Sequence, residues 1–218
     1  VDLSWDLLNQ PDFKDLRACM YTSEDEMCRF RQLVVNSVMA TDIADKDLGA
    51  ARKARWYKAF DNDDKSVTSH TTAGTSYTSQ ADINRKATIV IEHLIQASDV
   101  SHTMQHWHVY IKWSQRLFHE LYQAYEEGRL EKDPADGWYE GEKGFFDFYV
   151  IPLAKKLDTC GVFGVSSREF LDYAVHNRKE WEQKGHEMVA GYQKSYKEKY
   201  GKISKQDAIS GVDGDNST

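Results

Sequence analysis

The densest grouping of chemically capable side chains is the run Asp99-Val100-Ser101-His102-Thr103-Met104-Gln105-His106-Trp107-His108. If one continuous helix passes through it, Asp99, His102 and His106 stand at i, i+3 and i+7, on one face. A carboxylate and two imidazoles there form a donor set for zinc or a similar divalent ion. The same residues also read as a polar helix start, with Asp99 capping the backbone of Ser101 or His102 and both histidines in water. A second notable acid is Asp147, inside the apolar run Gly144-Phe145-Phe146-Asp147-Phe148-Tyr149. If buried among those rings it must find a partner. The stripe Trp107, Tyr110, Trp113, Leu117 and Leu121 has helical spacing and suits a core or a ligand wall. The sequence contains no phosphate-cradling G-x-x-x-x-G-K-[ST], no dinucleotide G-x-G-x-x-G and no G-x-S-x-G nucleophile elbow. Cys19, Cys28 and Cys160 form no C-x-x-C pair and read as reduced thiols.

These residues need helices to hold them. Prolines number only three, and no useful stretch alternates with period two. Ser23-Glu24-Asp25-Glu26 is a capping box, opening a helix with Phe30, Leu33, Val34, Val38 and Met39 at helical spacing and ending near Asp42. A charged, Ala-rich helix follows over Lys46 to Phe60. Residues 61–82 are polar and Ser/Thr-rich and predict a mobile loop. From Ile83 the helical pattern resumes with Ala87, Val90, Ile91, Leu94 and Ile95. Another helix is predicted from His106 to Glu127, stopping at Gly128. After a polar loop over 129–140, an apolar helix is predicted from Gly141 to Leu157, kinked at Pro152. Cys160 to Gly164 reads as a tight turn, Ser166 to Glu169 as a cap, and a final helix reaches Tyr200. Gly201 to Thr218 reads as a disordered tail. The expected fold class is all-α, one multi-helical domain over 1–200.

Composition excludes several roles. Lys and Arg number 28 and Asp and Glu 35, a formal net charge of −7. That acidic balance argues against nucleic acid as a partner. No uncharged apolar run approaches the ~20 residues of a membrane helix. The opening Val1-Asp2-Leu3-Ser4-Trp5-Asp6 lacks a basic region followed by an apolar stretch and does not read as a signal peptide; without a Met, the chain is expected to be part of something longer.

Five segments carry a family resemblance. Ala40-Thr41-Asp42-Ile43 resembles the A-T-D-M segment of class I cyclic-nucleotide phosphodiesterases, and Ala97-Ser98-Asp99-Val100-Ser101 their A-D-L-S stretch. Tyr110, Trp113, Arg116 and Glu120 follow at the spacing of Y-x-x-W-x-x-R and the E-E-F-F region. Gly144-Phe145, Asp147 and Pro152-Leu153 resemble G-F-x-D-(x)4-P-L, and Asn177-Arg178-Lys179-Glu180-Trp181 the closing N-R-x-W. Each motif is weak alone, but their order and spacing over residues 30–60 and 84–182 are specific.

The resemblance implies a compact all-helical catalytic domain that hydrolyses cAMP or cGMP with two divalent ions, zinc plus magnesium or manganese. It makes Asp99 a metal ligand, with Asp42 behind it, and Phe145 the ring that stacks on the purine. It places Ile43 and Val100 on apolar walls, and Tyr110, Trp113 and Leu117 around the pocket. Two departures matter. The family's H-N-x-x-H and His-Asp motifs, which supply the other metal ligands and the general acid histidine, are missing, so the chain is expected to be the C-terminal two-thirds of a domain. The purine-selecting Gln falls at Glu142, and His102 stands where an Asn is usual. An ionised Glu142 only accepts hydrogen bonds and so leans toward guanine, while a protonated one behaves like Gln. The resemblance also implies a cytoplasmic setting, or the cytoplasmic side of a tethered parent, and fusion to other signalling domains. The alternative is a non-catalytic helical interaction module on the same scaffold.

The composition of 61–82 offers little apolar area against an ordering entropy of ~1–2 kcal/mol per residue. Limited proteolysis is therefore expected to cut there first among internal sites, well before the helix over 106–127; mass spectrometry of the first fragments checks this.

Overall fold

A computed structural model describes residues 1–60 and 79–200. Those residues are helical, with no strand among them, so the protein is all-α. The predicted loop at 61–82 lies outside the described residues up to 78, as does the predicted tail at 201–218. At the loop's far end the helix starts at Gln80, three residues before Ile83. Ser79 explains this: its hydroxyl accepts from the Asp82 N–H at 3.2 Å and donates to the Asp82 carboxylate at 2.9 Å. Contacts divide the chain into two units, Val1–Asp99 and Val100–Thr218.

The first unit holds α1 (Asp2–Leu8), α2 (Lys14–Met20), α3 (Glu24–Thr41), α4 (Lys46–Phe60) and α5 (Gln80–Asp99). Neither α1 nor α2 buries a residue. Arg17 ties them together by donating to the carbonyls of Leu8 and Gln10, at 2.5 and 2.7 Å. The predicted capping box opens α3: the Glu26 N–H donates to Ser23 Oγ and the Ser23 N–H to Glu26 Oε2, both at 3.3 Å. At the other end of α3 the unpaired carbonyls are met by side chains of other helices. Arg52 of α4 donates to Met39 O and Asp42 O at 3.1 and 3.0 Å, and Gln96 of α5 to Ala40 O at 2.9 Å. Ala40, Trp56, Ala59, Ile89 and Ala97 are the buried apolar residues beside them.

The second unit starts with a 3₁₀ turn, Ser101–Met104, followed by α6 (Trp107–Glu126), α7 (Trp138–Phe145), a π turn (Phe146–Val150), α8 (Ile151–Cys160) and α9 (Ser167–Tyr200). α6 stops before Gly128, whose φ of 74° suits a residue without Cβ. The helix predicted from Gly141 begins instead at Trp138 and is interrupted by the π turn. Pro152 accounts for the interruption. It has no N–H for the Phe148 carbonyl, and its ring collides with that carbonyl in a regular helix. Upstream the ladder widens by one residue, with the Ile151 N–H bonded to Phe146 O. Gly161 and Gly164, at φ of 62° and 60°, make the expected turn after α8. Ser167, at the first position of α9, has its hydroxyl turned back to accept from the Phe163 N–H at 3.0 Å.

α9 packs against α6, α7 and α8 over a core that includes Phe118, Phe146, Leu153, Leu157 and Trp181. Three of its side chains latch three other segments. Fully buried Asn177 donates both amide protons, to Thr103 O at 2.9 Å and Gln105 O at 2.7 Å. Arg178 grips Asp147 of the π turn with two bonds of 2.9 and 3.0 Å. The Trp181 indole donates to Tyr139 O of α7 at 3.0 Å.

One turn further along, Gly185 lets α7 approach: a Cβ there would lie 2.7 Å from the Tyr139 ring and 2.8 Å from Trp181. Gly191 on the same helix has nothing within 4 Å of that position. Replacing either by Ala gains about 1 kcal/mol of helix propensity, but at Gly185 overpacking costs roughly 1–3 kcal/mol. Denaturant titration is expected to show Gly191→Ala stabilised and Gly185→Ala destabilised.

Candidate functional site

Two helix faces meet around one carboxylate. Tyr110 and Ser114 are one turn apart on α6, and Trp138 and Glu142 one turn apart on α7. The Tyr110 hydroxyl donates to Glu142 Oε2 at 2.7 Å, and the Ser114 hydroxyl to Oε1 at 3.3 Å. The Trp138 indole N–H donates to Ser114 Oγ at 3.3 Å. An indole can only donate, so Ser114 accepts from it and keeps its own proton for Glu142. Both carboxylate oxygens are therefore engaged.

Burial pushes the Glu142 carboxyl above its ordinary value, while the two hydroxyls pull it back down. Tyr110 is driven far above the usual phenol range, first by burial and then by the charge of Glu142. Phe145 lies at the end of α7, half-buried, its ring stacked on Tyr149 at 5.4 Å. Trp113 and Leu117 are 48% exposed on α6. The Arg116 guanidinium sits 4.7 Å over the Trp113 ring, and the His102 ring is 6.1 Å away. The second unit thus holds a buried carboxylate between two hydroxyls, and the same two helices carry the partly exposed rings of Trp113 and Phe145.

The structure brings together Tyr110 with Glu142, and His102 with Trp113. Val100, the first residue of the second unit, is buried. Asp42, Ile43 and Asp99 belong to the first unit. Asp42 holds a turn, its Oδ1 accepting from the N–H groups of Ala44 and Asp45 at 3.2 Å each. Ile43 is exposed, and Asp99 is the last residue of α5.

The zinc reading of Asp99, His102 and His106 fails, because the helix it needs is not continuous. A 3₁₀ turn and an extended Gln105 intervene, which removes the common face. His106 instead meets the Tyr173 hydroxyl at 3.0 Å. Among the described residues no three of His, Cys, Asp or Glu stand together to hold a metal. Asp147 is also not a buried acid, since the π turn leaves it exposed to pair with Arg178. Ser114 and Trp138 were not singled out from sequence. The available signal was a hydroxyl inside the Tyr110–Leu117 stripe, which is faint.

A sequence model of the 3'5'-cyclic nucleotide phosphodiesterase family matches residues 1–161, and the chain belongs to that family. Two solved structures from the choanoflagellate Salpingoeca rosetta are similar to it. One is the phosphodiesterase domain of the RhoPDE fusion protein: 19% identity, TM-score 0.59, covering 88% of this chain and 56% of that one. The other is the phosphodiesterase domain of its rhodopsin phosphodiesterase: 19% identity, TM-score 0.59, covering 89% and 55%. At that identity the likeness establishes the fold, and the chain spans little more than half the length of either structure. No curated protein matches.

The raised pKa of Glu142 has a stability consequence. Between its ordinary value of 4.5 and the higher folded value, the folded protein holds more proton than the unfolded one. Its contribution is thus fully present below pH 4.5 and lost as pH rises through the folded pKa. Glu142→Gln removes that titration while losing hydrogen-bond quality. The variant is expected to be most destabilised relative to wild type near pH 4, with the Tm gap narrowing as pH rises; a constant gap would refute the assignment.

Proposed function

We propose that the whole protein hydrolyses the 3',5'-cyclic phosphodiester of cAMP or cGMP to the 5'-nucleotide in signal transduction. Residues 1–200 supply the later part of its catalytic domain. The observation that carries this is the family match across residues 1–161. In this reading Phe145 stacks on the purine and Glu142 accepts from its edge. The Tyr110 and Ser114 hydroxyls support it by holding Glu142 as an acceptor. Guanine presents N1–H and N2–H side by side to such a group, whereas adenine N1 presents a lone pair, so cGMP is the favoured substrate. Of the second unit's residues, Val100, His102, Trp113 and Leu117 stand about the nucleotide in this reading. Asp99 is a metal ligand, with Asp42 behind it.

The two divalent ions of the family, zinc with magnesium or manganese, do not fit the described residues alone. Asp99 provides a single carboxylate, and a divalent ion needs several ligands in fixed geometry. The contribution of this chain's residues is therefore binding and orientation of the nucleotide, with the remaining ligands and the general acid coming from elsewhere in the whole protein. No described helix is long and apolar enough to cross a membrane. One similar structure comes from a fusion protein. We place this protein in the cytoplasm or on the cytoplasmic side of a tethered parent, joined to other signalling domains.

The purified 218-residue chain, assayed with Mg²⁺, Mn²⁺ and Zn²⁺ in turn, is expected to leave cAMP and cGMP intact. The whole protein is expected to turn them over. In it, Phe145→Ala should raise KM roughly ten- to hundredfold, the loss of one stacked base, in a variant whose Tm shows it still folded at the assay temperature. Glu142→Gln should lower the ratio of kcat/KM for cGMP over cAMP. Turnover by the isolated chain, abolished by Asp99→Ala, would show a complete site within these residues. An inert whole protein would favour the interaction module.

A further inference from the structure

Of the two hydroxyls that meet Glu142, Ser114 is the one whose orientation a third residue sets. A hydroxyl donates to an ionised carboxylate or accepts from a protonated one. Ser114 is 3% exposed, so its oxygen is screened from solvent. The Trp138 indole serves that oxygen, donating to it at 3.3 Å. A hydroxyl that accepts on one side donates more strongly on the other, and the proton of Ser114 goes to Glu142 Oε1 at 3.3 Å. With the indole N–H removed, a protonated Glu142 supplies the bond that the buried Oγ has lost.

Packing holds the indole in place. Trp138 is the first residue of α7, and its ring stands edge-on to Phe118 of α6, with centroids 5.1 Å apart at 82°. Phe118 is fully buried and lies one turn beyond Ser114 on the same helix. An indole N–H neither titrates nor accepts, so Trp138 favours the same state of its partner at every working pH. The titratable groups facing Glu142 are Tyr110 of α6 and, through its charge, Tyr192 of α9. Burial drives both phenols upward, so neither takes the negative charge in its place.

We infer that Trp138 is a positioning residue for purine selection: by committing Ser114 to donate, it keeps Glu142 an acceptor and biases the site toward guanine. The inference rests on the reading of Glu142 as the residue that meets the purine edge. Without the indole N–H, Glu142 takes up a proton more readily, behaves like Gln and meets adenine as well as guanine.

Two readouts test it. In the 218-residue chain, the infrared band of the protonated Glu142 carboxyl, identified by its absence in Glu142→Gln, is followed against pH. Trp138→Phe and Ser114→Ala are each expected to retain that band to higher pH than wild type, and the double variant no further than Ser114→Ala alone. Melting curves establish which variants fold. Where Trp138→Phe does not, benzothienylalanine in place of Trp138 keeps the ring shape and removes the N–H. In the whole protein, Trp138→Phe is expected to lower the ratio of kcat/KM for cGMP over cAMP roughly three- to tenfold at neutral pH, the worth of one hydrogen bond. The gap should close at low pH, where Glu142 is protonated in both proteins. A midpoint that does not rise in a folded variant lacking the N–H, effects that add in the double variant, or a raised midpoint with an unmoved ratio each overturn the inference. A raised midpoint in a whole protein inert toward both nucleotides upholds the positioning of Glu142 and removes the proposed function.

Discussion

Much of the second unit depends on one short stretch of α9. Asn177, Arg178 and Trp181 lie within a turn and a half of helix, and each holds a different neighbouring segment in place. The 3₁₀ turn after Val100 ends in an extended Gln105, so the carbonyls of Thr103 and Gln105 take their bonds from one buried amide. The π turn forced by Pro152 is gripped by a bidentate guanidinium, a geometry that fixes direction as well as distance. The start of α7 is fixed by an indole N–H, which places Trp138 and Glu142 against α6. Of the residues proposed to meet the nucleotide, His102 is carried on the latched 3₁₀ turn and Glu142 and Phe145 on the latched α7.

Helices whose periodicity is local were legible in the sequence. The capping box of α3, the span of α4 and the stop of α6 at Gly128 follow from short-range chemistry and are found as expected. The reading failed where two local rules competed. Apolar periodicity argued for one helix from Gly141 to Leu157, while Pro152 argued against it. The chain resolves the conflict with a π turn, which no pattern of apolar residues announces. The zinc reading failed similarly, by assuming that a helix ending at Asp99 continued to His106.

For the candidate site, motif order identified the family but not the chemistry around Glu142. Glu142 was legible as a substitution in a motif. That both its oxygens are held by hydroxyls was not, because Ser114 lies 28 residues away in sequence and is a partner only through packing. Asp147 shows the reverse case: its apolar neighbours suggested burial, but the π turn directs it outward to Arg178. Long-range hydrogen bonds of this kind depend on tertiary geometry, which composition and spacing do not encode.

The two ends of α3 differ in how they are secured, one by neighbours in sequence and the other by distant helices. Its first turn carries its own partners three residues apart, so it can form before any other helix is present. Its last turn relies on Arg52 and Gln96, the latter 56 residues from the carbonyl it serves. That contact requires closure of a long loop, which is slow. The carbonyls of its last turn are therefore satisfied only while α4 and α5 are docked. When those two helices let go, the Thr41 end loses its partners and the capping box keeps its own.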